Sequence, residues 1–299
     1  MGYNLGVDIG TTFVAAATAT ATRVTMVKLG NRSEVIPATV YLREDGALVT
    51  GEAANLPAVS NPSRIGRELK RRLGNPTPVE LGGQPYNVTT LLGALLQDVI
   101  QKVIDTEGDP PERVMLTHPA SWGPFRRTLF EEVPQFAGLN TPPMVTEPEA
   151  IAVHYVTSRT LADGATMAVY DLGGGTFDAT ILRTQPGGIE ILGIPEGIEL
   201  GGVDFDEAIL SYVDYVADGA LSGLDMQDPQ VRTALSRLRQ DCALAKEALS
   251  AQSETVIPVS LPGRQFDVPF TRSTFEEMVR GPIESTIGAL TQALESAQV

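Results

Sequence analysis

One local pattern occurs twice in this chain, and that repeat limits the possible folds more than any bulk property does. "DIGTTFVA" runs from Asp8 to Ala15 and "DLGGGTFD" from Asp171 to Asp178, so the two leading aspartates stand 163 residues apart. Each copy is a tight glycine-containing turn set between apolar, β-branched runs. Asn4 to Asp8, Phe13 to Thr20 and Arg23 to Leu29 read as three strands, and Thr166 to Asp171, Phe177 to Arg183 and Gly188 to Ile194 read as the same three again. A period this long does not build a solenoid; it predicts two similar lobes facing each other. The length of 299 residues, 42% of them hydrophobic, is enough to bury two cores.

Beyond its three strands the first copy carries a segment of short strands and turns, then a helix with an unbroken apolar stripe. Leu91, Leu95, Val99 and Val103 run beside Leu92, Leu96, Ile100 and Ile104, with Thr89 or Thr90 placed to cap the start and Gly108 the end. A strand at Arg113 to His118, a helix within Phe125 to Ala137, a short strand near Met144 and a helix from Pro148 to Ser158 follow. The second copy continues into an insertion that holds two strands and a helix whose Val231, Leu235, Leu238, Cys242, Ala245 and Leu249 form one buried face. A last helix spans roughly Pro282 to Ala297. The predicted division is lobe I at residues 1–160 (core 1–37 and 110–160, inserted subdomain 38–109) and lobe II at 161–299 (core 161–200 and 278–299, inserted subdomain 201–277). By analogy with lobe I, two further strands and two helices are expected after the last helix. Without them the second lobe is expected to be incomplete, with an unprotected sheet edge.

Composition removes several classes of partner. Acidic residues outnumber basic ones 37 to 22, a formal charge of -15, and such a field repels a nucleic-acid backbone. The single Cys242 permits neither an intrachain disulfide nor a cysteine-based zinc site, as in a reducing compartment. "MGYNLGVDIG" lacks the basic and apolar regions of a secretory signal, and no apolar run is long enough to span a membrane, so a cytoplasmic location without membrane contact is expected. The sequons at Asn31 and Asn87 then read as chance matches.

The two turns have the chemistry of a phosphate cradle. Consecutive backbone N–H groups aimed one way form a positive concavity, and glycine lets phosphate oxygens approach it closely. Gly173, Gly174 and Gly175 supply one such turn and Gly10 with Thr11 and Thr12 the other, while Thr11, Thr12 and Thr176 add hydroxyl donors. The flanking Asp8 and Asp171 would repel a bare triphosphate, which makes sense if magnesium lies between them and the phosphates. A dinucleotide fingerprint would need glycine at Asp178, no Gly-Lys pair forms a Walker turn, and neither H-E-x-x-H nor G-x-S-x-G occurs.

With these residues in view, the chain resembles the actin-like ATPase superfamily and, within it, the nucleotide-binding domain of DnaK-type heat-shock chaperones. "GVDIGTT", "TEPEAIA" from Thr146, "DLGGGTFD", "LGGVDFD" from Leu200 and "LRQDCALAKEALS" from Leu238 occur in that family's order and approximate spacing. The resemblance implies an α/β, two-lobed, RNase H-like fold in which each lobe is a mixed sheet with helices. It implies magnesium held by Asp8, Asp171 and Asp178, and phosphate turns at Gly10 to Phe13 and Gly173 to Thr176. It also implies a catalytic set of Lys70, Glu147, Asp171 and Thr176, with Arg71 as the neighbouring alternative to Lys70. Gly201 and Gly202 match a further nucleotide-contacting turn, and Lys246 and Ser250 match adenosine contacts.

The implied activity is magnesium-dependent binding and slow hydrolysis of ATP to ADP, with a nucleotide-exchange or co-chaperone protein as partner. Two other readings stand beside it: a nucleotide-sensing or scaffold module that binds ATP weakly or not at all, and a small-molecule kinase of the same superfamily. The chain departs from the family at Ala243 and Glu247, where an acid and an adenine-stacking arginine are expected, and at Phe13, which replaces a small polar residue. The family's last nucleotide motif, a Gly-Gly-Ser/Thr-Arg turn over the adenosine, is expected beyond Val299, as are the peptide-binding domain and its linker.

Overall fold

A computed structural model describes residues 2–159 and 161–299. Strict alternation makes the first hairpin. Leu5, Val7 and Ile9 of β1 (Asn4–Ile9) and Val14 and Ala16 of β2 (Phe13–Ala19) face the core, and their neighbours face outward. Short strands β3 (Val24–Met26), β4 (Val35–Pro37), β5 (Val40–Leu42) and β6 (Leu48–Thr50) lead to helix α1 (Glu52–Ser60). Strand β7 (Ile65–Gly66), a 3-10 turn at Leu69–Arg72 and the hairpin β8 (Val79–Leu81) and β9 (Gln84–Tyr86) complete this segment.

Helix α2 (Val88–Glu107) buries the expected leucine stripe in one core with Leu5, Val7 and Ile9. It starts after Asn87, earlier than a threonine cap would place it. Val88 and Thr89 are drawn into the core, so the first turn is fixed by packing rather than by a hydroxyl. At the other end Gly108 adopts φ 89° and donates to the Ile104 carbonyl, closing the helix as anticipated. Strand β10 (Arg113–His118), helix α3 (Pro124–Phe136), strand β11 (Met144–Thr146) and helix α4 (Glu147–Ser158) follow. The resulting six-stranded sheet has the order β11-β10-β1-β2-β3, with β4 also on β2, and β10 lies parallel to both its neighbours.

The second sheet repeats the first three strands as β12 (Thr166–Leu172), β13 (Phe177–Gln185) and β14 (Gly188–Ile198). It is antiparallel throughout, because no strand takes the place beside β12 that β10 takes beside β1. Its outer edge at β12 is therefore unpaired among the described residues. Helix α5 (Gly202–Val216), which the sequence reading did not separate from its glycine turn, packs with α6 (Pro229–Ala248), β15 (Glu254–Leu261) and β16 (Arg264–Thr271) around Cys242. The final helix, α7 (Arg272–Ser296), begins ten residues before Pro282. The Thr271 hydroxyl accepts from the Thr274 N–H and sets its start, so Pro282 lies inside the helix rather than at its head.

Helix α4 joins the halves. It leans on β10 and β11 of the first sheet, and its Ala152 packs with Val169 and Leu182 of the second. On the opposite face of the second sheet, Ala289 and Ala293 of α7 meet Phe177, Ala179 and Ile181. Among the described residues no helix is long and apolar enough to cross a membrane.

Candidate phosphate-binding cleft

The two glycine turns are superimposable in hydrogen bonding. Gly10 N–H donates to Phe13 O at 2.8 Å, and Gly173 N–H donates to Thr176 O at 2.9 Å, each closing its hairpin at the same step. Register agrees as well: Asp8 pairs with Ala15 as Asp171 pairs with Asp178. Among the described residues no backbone carbonyl accepts from Thr11, Thr12, Gly174 or Gly175 N–H, so four turn amides remain as donors.

The turns also touch. A Cβ on Gly174 would stand 1.9 Å from Thr12 Oγ1, and one on Gly175 would stand 2.4 Å from Thr11 Cγ2. Only glycine permits that approach. Around the contact lies a cavity of about 500 Å³ lined from one side by Asp8, Gly10, Thr11, Thr12 and Phe13, and from the other by Asp171, Gly173, Gly174 and Thr176. Lys70, Thr117, Glu147 and His154 complete its polar lining.

Lys70 is 6% exposed and donates to Glu147 Oε1 at 2.5 Å, with Asp8 Oδ1 at 3.9 Å. Its ammonium stands 5.9 Å from the centre of the buried Trp122 ring. Burial works to lower the Lys70 pKa, but the charges of Glu147, Asp8 and Asp178 outweigh it and the pKa is raised, so the lysine is a cation at neutral pH. Burial pushes the Glu147 carboxyl up to about 7 against the pull of Lys70. Asp171 is raised by burial and then by the charges of Asp178 and Asp8. Four carboxylates thus surround one lysine, an excess of negative charge that suits a bound cation.

Asp178 is placed differently from the other acids. It is buried, accepts from Ser121 Oγ at 2.5 Å, and lines an adjoining cavity with Ser121 and Trp122; of the predicted residues, Thr176 lines both cavities. Burial raises its pKa against the Ser121 hydrogen bond. Asp8, by contrast, is in the main cavity and accepts from Thr117 Oγ1 at 2.7 Å. Thr117 was not singled out from the sequence; it is the penultimate residue of β10, brought beside Asp8 by the parallel pairing of β10 with β1.

Gly201 and Gly202 stack helix α5 onto the second turn. Gly202 N–H donates to Gly173 O at 3.0 Å and Val203 N–H to Gly174 O at 2.8 Å. Asp204, in the first turn of α5, accepts from Gly201 N–H at 2.8 Å and takes Arg71 Nη1 at 3.1 Å from the opposite lobe. Lys70 and Arg71 are therefore separated in role: Lys70 enters the cavity and Arg71 crosses the cleft. Lys246 donates to Gly202 O at 2.8 Å and pairs with Asp206 Oδ1 at 2.7 Å, while Glu247 and Ser250 face solvent. None of Gly175, Gly201, Gly202, Lys246 or Ser250 lines the main cavity.

Among the described residues no three histidine, cysteine or acidic side chains converge on one metal position. Asp8 and Asp171 in one cavity are instead a donor set for an ion that keeps waters and phosphate oxygens in its coordination shell, which is how magnesium is usually held. A family model described as Hsp70 protein matches residues 76–299, well over half of the chain.

Proposed function

The chain belongs to the Hsp70 protein family and carries the actin-like ATPase fold of that family's nucleotide-binding domain, and from this premise we propose that it binds ATP with magnesium in the cleft and hydrolyses it slowly. One observation carries the reading: two hydrogen-bond-matched turns meet at a single cavity into which a buried Lys70–Glu147 pair projects.

The free amides of Thr11, Thr12 and Gly174 receive phosphate oxygens, and Thr11, Thr12 and Thr176 hydroxyls add donors. Asp8 and Asp171 would hold the magnesium ion, which neutralises phosphate charge when bound. Lys70, charged and fixed by Glu147, faces the transferred phosphoryl group and orients the attacking water. Glu147, with its carboxyl near 7, accepts a hydrogen bond from that water. Asp178 holds the far wall through Ser121. The residue ranges of the two lobes given above are part of this proposal, as is a co-chaperone or exchange partner that reads lobe closure.

Weak nucleotide binding is favoured by one feature, the solvent-facing Glu247 and Ser250, which leave the base without those contacts. Thermal unfolding with and without Mg-ATP tests the proposal: ligand at a hundredfold excess over its Kd stabilises by about 2.7 kcal/mol. An upward shift is expected, together with slow turnover that is lost in Lys70→Ala and Asp171→Ala variants that still fold. No shift at millimolar Mg-ATP, or unchanged turnover in both variants, would refute it.

A further inference from the structure

Trp122 is the single tryptophan of the chain and is buried, yet nothing in the mechanism above uses it. It stands in the loop of residues 119–123 between β10 and α3, and that loop is tied at both ends of its turn. Ser121 donates across the cleft to Asp178 of the second lobe, and Trp122 N–H donates back to Pro119 O at 3.4 Å. The ring is held as well. Phe130 of α3 meets the indole edge-on at 5.4 Å and 77°, and the His118 imidazole at the end of β10 lies nearly parallel to it at 6.4 Å and 12°. An indole gripped by a strand end and a helix has a fixed plane.

Lys70 approaches this ring from a different segment, the 3-10 turn Leu69–Arg72. Its ammonium is 5.9 Å from the ring centre, inside the roughly 6 Å reach of cation–π attraction, and both side chains are buried, so little water weakens the contact. Glu147 at 2.5 Å and Asp8 at 3.9 Å are the charged partners of the same ammonium. The partners differ in kind. A lysine ammonium is a compact charge on a flexible stem, free to turn among acceptors unless something fixes it. Carboxylates hold it by charge, and each carboxylate in this cavity also opposes the phosphate that must enter. An aromatic face attracts a cation through its quadrupole and carries no net charge. It restrains the lysine without adding to the negative field.

We propose that Trp122 is a positioning residue for Lys70: its indole face fixes the ammonium beside Glu147, so that the positive charge stays aimed into the phosphate cavity. The indole acts through Lys70 and needs no contact with the ligand. The catalytic consequence rests on the nucleotide-hydrolysis reading above and deepens it, whereas the contact itself exists without nucleotide.

Because the chain has one tryptophan, growth on mono-, di- or trifluorotryptophan alters Trp122 alone. Fluorine draws charge from the ring face and nearly preserves its shape, so a packing role is left intact while a cation–π role weakens stepwise. Urea unfolding of the ligand-free whole chain is expected to show a loss of about tenfold in folding equilibrium constant across the series. The reference is a Lys70→Met/Glu147→Gln variant, which removes the ion pair together and strands no buried charge; its series should be flat. Mg-ATP turnover is read alongside. The kcat should fall by about the same tenfold with KM within about twofold. Trp122→Phe, which keeps an aromatic face, should retain more kcat than Trp122→Leu, which keeps only bulk. Equal losses in the reference and the unaltered protein, or none in either, would overturn the proposal. So would a stepwise loss of stability with kcat unchanged, which would leave Trp122 a packing residue. Absence of turnover in the unaltered protein would instead remove the nucleotide reading, and the ligand-free series would still decide whether ring and ammonium interact.

Discussion

Gly201→Ala isolates the contact that fastens α5 to the second phosphate turn. Gly201 has φ -168°, extended backbone open to any residue, so alanine introduces no conformational strain there. What forbids it is space: a Cβ would lie 2.5 Å from both Gly174 C and Gly175 N and 2.7 Å from Gly173 O. All three are backbone atoms and none can swing aside. The turn and the helix head must separate, at the expense of the 3.0 Å Gly202–Gly173 and 2.8 Å Val203–Gly174 hydrogen bonds. Two such bonds contribute about 1 kcal/mol each. Residual overpacking adds about 1–3 kcal/mol. Destabilisation of about 3–5 kcal/mol is therefore expected, a fall in Tm of roughly 6–20 °C for a cooperative unit of this size. Differential scanning calorimetry of nucleotide-free protein reads it directly. Gly188→Ala, where no atom lies within 4 Å of the added Cβ, is the comparison and should change stability by no more than about 0.5 kcal/mol. If Gly201→Ala melted with Gly188→Ala, the close-contact argument would be wrong.

Two more expectations concern buried polar groups. Burial holds the Glu147 carboxyl near 7, above its unfolded value of 4.5, so the folded protein binds this proton more tightly than the unfolded chain does. The stability it contributes is fully present below pH 4.5 and is lost as pH rises through 7, a change of about 3 kcal/mol. Glu147→Gln should flatten the fall in Tm between pH 5 and 7; a slope equal to that of the unaltered protein would assign the effect elsewhere. Thr180 is 1% exposed at the bulge in β13 and its hydroxyl has no partner among the described residues, so Thr180→Val should be neutral or stabilising by about 1 kcal/mol in urea denaturation. A clear loss of stability would mean that the hydroxyl is satisfied in solution.

Much of the architecture was legible because periodicity reports burial. In the β1–β2 hairpin, the α2 stripe and the buried face of α6 the apolar residues face one side, and β13, buried on both faces, reads instead as a continuous run bounded by its glycine turn. The start of α7 was misjudged because proline prefers a helix head; the Thr271 cap was the better marker. Helix α5 does carry a stripe, in Phe205, Ile209 and Val213, yet its first residues also form the glycine turn and were read only as such. The cavity residues split on similar lines. Turn residues and Lys70 stood out by type and position, whereas Thr117, Ser121 and the Arg71–Asp204 pair depend on strands and helices brought together from distant sequence. No local pattern encodes such meetings.

Lys70 and Arg71 are consecutive on one short 3-10 turn, yet the first is bound to Glu147 within its own half while the second reaches across to Asp204. Parting the halves would break the Arg71–Asp204 pair and leave Lys70 on Glu147, because both of the latter stand in one half. The guanidinium is thus the latch of the cleft, and the ammonium one step before it is a fixture of its floor.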